Sequence, residues 1–110
     1  MESKNAVKAF AALAHDTRLD VFRLLVRQGP SGLRAGEISA RLGVPPSTLS
    51  AHLSRLESAG LLRSWRDARN VIYAPHVEGV RLLLTFLTED CCQGHPEMCG
   101  TQFATPFSCG

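Results

Sequence analysis

Cys91, Cys92 and Cys99 fall close together near the end of the chain, with Cys109 one residue from its end. Gly94 and Pro96 can turn the intervening segment back, so three thiolates could converge on one ion. Thiolates select soft metals, and an ion with a lone pair, such as As(III) or Sb(III), takes three sulfurs in a pyramid, whereas Zn(II) wants four donors in a tetrahedron. Three close cysteines match the former better. Three rivals stay open. His95 would complete a Cys3His zinc site, Cd(II) or Pb(II) are soft enough to bind, and Cys91 or Cys92 could pair with Cys99 as a redox switch. Cys109 reads as a spare thiol.

A second constellation precedes the cysteines. Ser47, Thr48, Ser50, His52, Ser54 and Arg55 share the polar face of one segment whose Leu49, Leu53 and Leu56 recur at helical spacing. Short hydroxyls at the start of a helix let it approach the major groove closely and exchange hydrogen bonds with base edges or phosphates. Arg55 and His52 can reach a phosphate or a guanine. Downstream, Arg66 and Arg69 can enter the adjoining minor groove or grip its phosphates.

The elements that must position these groups are legible. Val7, Phe10, Ala11 and Ala14 predict an amphipathic helix over 5–14, and Leu19, Phe22, Leu25 and Val26 a second one, capped by Asp16 and ended by Gly29-Pro30. A short helix from Arg34 carries Ile38 and Leu42 and stops at Gly43. The next starts at Pro45-Pro46 and closes at Gly60, so the pair forms a helix-turn-helix. Leu61 to Trp65 and Val71 to Ala74 predict a β-hairpin around a tip of Arg66, Asp67, Ala68, Arg69 and Asn70. Val77, Val80, Leu84 and Leu87 mark a last helix from about Pro75 to Glu89. Its apolar face, widened by Leu82, Leu83 and Phe86, is too broad for one partner, which predicts a second subunit met there and at the first helix. From Cys91 onward regular structure is not expected.

The fold expected is therefore mainly α with a β-hairpin wing: a winged helix-turn-helix domain over 1–90, homodimeric, followed by a cysteine-containing tail over 91–110. At 110 residues there is room for one domain, and 45% hydrophobic with 20% charged residues is the composition of a folded chain. Up to residue 75 there are eleven Lys/Arg against six Asp/Glu; beyond it, one against four. A basic body points to double-stranded DNA, and a two-fold dimer would read half-sites about 34 Å apart. No membrane span or secretory leader is recognisable, so a cytoplasmic location is expected, where cysteines serve metals or redox chemistry. An enzyme is disfavoured, because neither a phosphate-cradling loop nor a Cys-x-x-Cys at a helix start occurs. No organic cofactor is implied.

The run Ala9-Phe10-Ala11-Ala12-Leu13-Ala14-His15-Asp16-Thr17-Arg18-Leu19, then Glu37-Ile38, then Ser47 to Leu62 resembles the ArsR family of bacterial metalloregulatory repressors over residues 5 to 90. The resemblance implies a winged-helix homodimer that represses its operator until an inducer binds. The Cys-x-Cys of the best-known arsenic-responsive members is absent from Arg34 to Leu42, and the Asp and His set of zinc-sensing relatives is not evident on the last helix. The tail resembles that of an arsenic-sensing subgroup with a Cys-Cys pair and a third downstream cysteine. This implies Cys91, Cys92 and Cys99 as ligands, one As(III) or Sb(III) per subunit, and control of an arsenic or antimony resistance operon.

Overall fold

A computed structural model of the chain describes residues 1–88. Its elements run α1 (Ser3–Leu13), α2 (Asp16–Gln28), β1 (Leu33–Arg34), α3 (Ala35–Leu42), α4 (Pro46–Ser58), β2 (Leu62–Asp67), β3 (Asn70–Pro75) and α5 (Val77–Thr88). The expectation of an irregular tail from Cys91 lies outside the described residues. One core gathers Ala6, Ala9 and Ala12 of α1, Val21 and Leu25 of α2, Ile38 of α3, the three α4 leucines, Leu61, Leu62 and Leu83 of α5.

The first helix turns a different face inward from the one its large apolar residues predict. Ala6, Ala9 and Ala12 are buried, whereas Val7 is 66% and Phe10 41% exposed. Methyl side chains let α1 lie close on its neighbours, so the bulky residues point away. In α2 the buried set is Arg18, Val21 and Leu25, with Leu19 and Val26 exposed. Its cap is also shifted by one residue. His15, in extended backbone, accepts from the Thr17 amide through Nδ1 at 3.1 Å, and Asp16 is the first helical residue.

Helix α3 begins where the Arg34 amide donates to Glu37 Oε1 at 3.0 Å. That bond, reinforced by the Arg34 side chain, holds the Glu37 carboxyl below its ordinary pKa. It ends at Gly43, whose φ of 66° is a left-handed conformation that costs glycine nothing. Across this turn the Val44 amide donates to Ser39 O, and the Ser39 hydroxyl to Val44 O, which fixes α3 against α4.

The sheet is antiparallel in the order β1-β3-β2. Two residues of β1 pair with Ile72 and Tyr73, an element too short to give a sequence signal. The wing is longer than expected. Ladder pairing continues to Asp67 opposite Asn70, so the tip is Ala68 and Arg69 alone, with Ala68 at a φ of 59°. Helix α5 starts at Val77, with the His76 ring accepting from the Gly79 amide at 2.8 Å. It buries Leu83 and leaves Val77, Leu82 and Leu87 exposed.

Candidate nucleic-acid interface

Helix α4 turns Leu49, Leu53 and Leu56 into the core and its hydroxyls out. Ser47, Thr48, Ser50 and Arg55 are all exposed, as the groove-reading role requires. The wing is fixed beside the helix, because the Ser64 hydroxyl on β2 donates to Glu57 Oε2 on α4 at 2.6 Å. Arg66 stands one residue before the end of β2 and Arg69 in the tip, both exposed. On the same strand the Arg63 guanidinium lies over the Trp65 ring, 4.5 Å from its centroid. Helix α4 and the wing are thus bonded to each other, and six of the seven DNA-contact positions read from sequence, Ser47, Thr48, Ser50, Arg55, Arg66 and Arg69, are exposed on them.

His52 is placed differently. It is half-buried on the flank of α4, its ring 4.7 Å from that of His15 between centroids, and its Nδ1 3.5 Å from Arg18 Nη1. The ring packs on the α1–α2 corner, because its position on α4 falls between the inner leucines and the outer hydroxyls. Burial, and then the neighbouring His15, Arg18 and Arg55, lower its pKa. The folded protein therefore resists protonating His52 while the unfolded chain takes the proton near pH 6.5, so stability is complete above that value and falls as pH drops below it. We expect the Tm to decrease from pH 7 to pH 5, with a shallower decrease in His52→Gln; equal slopes by differential scanning calorimetry would remove His52 as the cause.

Arg18 is the residue that sequence reasoning passed over. It is 9% exposed, with Nε donating to Ala12 O at 2.6 Å. Through Ala12 and His52 it joins the end of α1 to the reading helix. Its spacing to Val21 and Leu25 was the available signal, since residues three and seven positions apart share a helical face. Tyr73, half-buried beneath α4, has its hydroxyl pKa raised by burial and then by Glu57. The candidate ligands Cys91, Cys92 and Cys99, with Cys109 and His95, lie outside the described residues. Among those residues no helix is long and apolar enough to cross a membrane.

Comparison with known proteins agrees with this geometry. A model of a helix-turn-helix domain matches residues 13–64. The HTH-type transcriptional regulator YgaV of Escherichia coli (strain K12) is 31% identical over 90 residues, covering 82% of this chain and 89% of that protein. The structure of HlyU from Vibrio cholerae N16961, 31% identical, superposes with a TM-score of 0.63 over 84% of this chain and 100% of the other. A homodimeric winged helix-turn-helix DNA-binding domain from Mycobacterium bovis, described as that of a possible ArsR-family transcriptional regulator, is 28% identical with a TM-score of 0.65 over 84% of each chain. These relatives are regulators of transcription, not enzymes.

Proposed function

Because the chain belongs to the ArsR-type family of winged helix-turn-helix transcriptional regulators, DNA-binding proteins by their fold, we propose that it is an inducer-released repressor of an arsenic or antimony resistance operon. As(III) or Sb(III) is the inducer, held by Cys91, Cys92 and Cys99. The observation that carries this reading is the division of the chain: every residue of the DNA-facing surface precedes α5, and all four cysteines follow residue 90. On this reading, DNA recognition and sensing belong to separate segments.

A homodimer places two α4 helices on successive half-sites. It is supported by the homodimeric neighbour and by the large apolar residues that α1 and α5 leave uncovered, Val7 and Phe10 on one and Leu82 and Leu87 on the other. Base edges would meet Ser47, Thr48 and Ser50, with Arg55, Arg66 and Arg69 on bases or phosphates at the sides. His52, held against Arg18, would set the angle of α4 instead of reading bases.

The described residues supply a route from an inducer beyond α5 to the reading helix. The first turn of α5 is fastened to the turn that closes α4: the His76 amide donates to Leu61 O at 2.9 Å, and the Gly60 and Leu61 amides donate back to Glu57 and Leu56. Displacing α5 would then shift the end of α4. Inducer binding needs only to favour the displaced arrangement for the operator to be released.

The test is a titration of reduced protein on a fluorescent fragment of its own promoter region, followed by anisotropy, with As(III), Sb(III) and Zn(II) added separately. Release by As(III) or Sb(III) near one equivalent per subunit, with Zn(II) inert, is expected. Release by Zn(II) alone would reassign the sensor to Cys3His with His95. Release by an oxidant alone would make it a thiol switch.

A further inference from the structure

Between α1 and the C-terminal half of α4 lies a cleft of about 310 Å³, into which Lys8 enters from one side and Ser54, Arg55 and Ser58 from the other, with alanines forming the rest of the wall. Its polar chemistry is an ammonium, a guanidinium and two hydroxyls. No carboxylate lines it, and the two ion pairs among the described residues, Arg34 with Glu37 and Arg81 with Glu78, engage neither cation. Such a set of donors fits a tetrahedral oxyanion, and alanine walls allow that anion to come close.

The cleft is continuous with the groove-reading face. Ser47, Ala51, Ser54 and Ser58 recur at four- and three-residue intervals, so the outward stripe of α4 runs from its first turn directly into the cleft. In a helix that reads bases with its first turns, the later turns leave the groove floor and pass the sugar-phosphate wall. We propose that this cleft seats a phosphate group of the DNA backbone, clamped by Lys8 of α1 together with Arg55 and Ser58 of α4. Resting on the regulator reading, this makes α1 a DNA-contacting helix as well as a dimer helix. Its lysine edge faces the cleft, while Val7 and Phe10 point elsewhere, exposed.

The test compares wild type with Lys8→Gln, Lys8→Arg and the control Arg27→Gln by anisotropy, on promoter duplex and on a random duplex across a salt series. Lys8 is exposed, so folding should not suffer; circular dichroism checks this. The expected result is a roughly three- to tenfold weaker binding of Lys8→Gln to both duplexes, with the slope of log affinity against log salt reduced by about one. Arg27→Gln should keep the full slope and Lys8→Arg should restore it. A Lys8→Gln protein with unchanged affinity and slope overturns the proposal while leaving the regulator reading standing. A wild type that binds neither duplex at low salt overturns the regulator reading and the backbone source together. Inorganic phosphate, titrated against the Lys8 and Ser58 amide resonances without DNA, separates the sources: saturable shifts with duplex affinity unchanged in Lys8→Gln would assign the cleft to a free phosphate.

Discussion

Changing Cys91, Cys92 or Cys99 to Ser is expected to leave operator binding at wild-type strength and to abolish its release by As(III). Serine nearly matches cysteine in size, but its hydroxyl stays protonated at neutral pH and is a hard donor, so each replacement removes one of three sulfurs from a soft ion. Coupling between an effector and DNA typically spans about 1 to 3 kcal/mol, so the wild type should lose about 5- to 150-fold in operator affinity when As(III) is added, and each variant none. Linkage is reciprocal. Operator DNA must weaken As(III) binding by the same factor, which isothermal titration of free and DNA-bound protein measures independently. Cys109→Ser should release normally. A cysteine variant that no longer binds the operator would contradict the separation of reading from sensing.

The second large effect concerns a residue without a side chain. Gly79 stands in the first turn of α5, and a Cβ there would lie against the carbonyl oxygen of Gly60, nearer than atoms can approach, with the carbonyl carbon behind it in tight contact. Helix propensity alone favours Ala over Gly by about 1 kcal/mol. The clash outweighs it, because the obstructing atom belongs to the backbone turn that ends α4 and cannot rotate aside. Gly79→Ala is therefore expected to destabilise the protein by about 1 to 3 kcal/mol, the usual cost of overpacking, visible as a lower urea midpoint. Operator affinity should fall as well, since α5 can make room only by moving the Gly60 turn. An equally stable Gly79→Ala protein with full DNA affinity would show that this contact does not fasten the two helices.

Where sequence and structure agree, local chemistry decided the outcome. Gly43, the two prolines before Ser47 and the α4 leucine spacing define the helix-turn-helix, because a left-handed cap and an N-terminal proline each permit few alternatives. The apolar stripe of α1 located the helix but not the face that meets the core, for a physical reason. Periodicity ranks faces by bulk, but α1 is buried through Ala6, Ala9 and Ala12 at close approach, and its bulky residues lie where a single chain leaves them uncovered. Leu19 and Val26 of α2 misled in the same way. A polar residue on the inner face, Arg18, was obscured because its partners, Ala12 O and His52, are set by tertiary contact and lie 6 and 34 positions away. His52 reads as solvent-facing on the same grounds. The wing was visible as two apolar, β-prone runs, while its two-residue tip depended on Ala68 accepting a conformation that alanine seldom adopts.

The uncovered Val7, Phe10, Leu82 and Leu87 also bear on how sharply such a protein would respond to its own abundance. If only the paired form spans both half-sites, then below the dimer dissociation constant promoter occupancy rises with the square of subunit concentration, not in proportion to it. Halving the rate of synthesis would cut occupancy toward one quarter. A shortfall in translation would thus open the controlled genes with no inducer present, and the bare apolar faces of two helices would set the threshold.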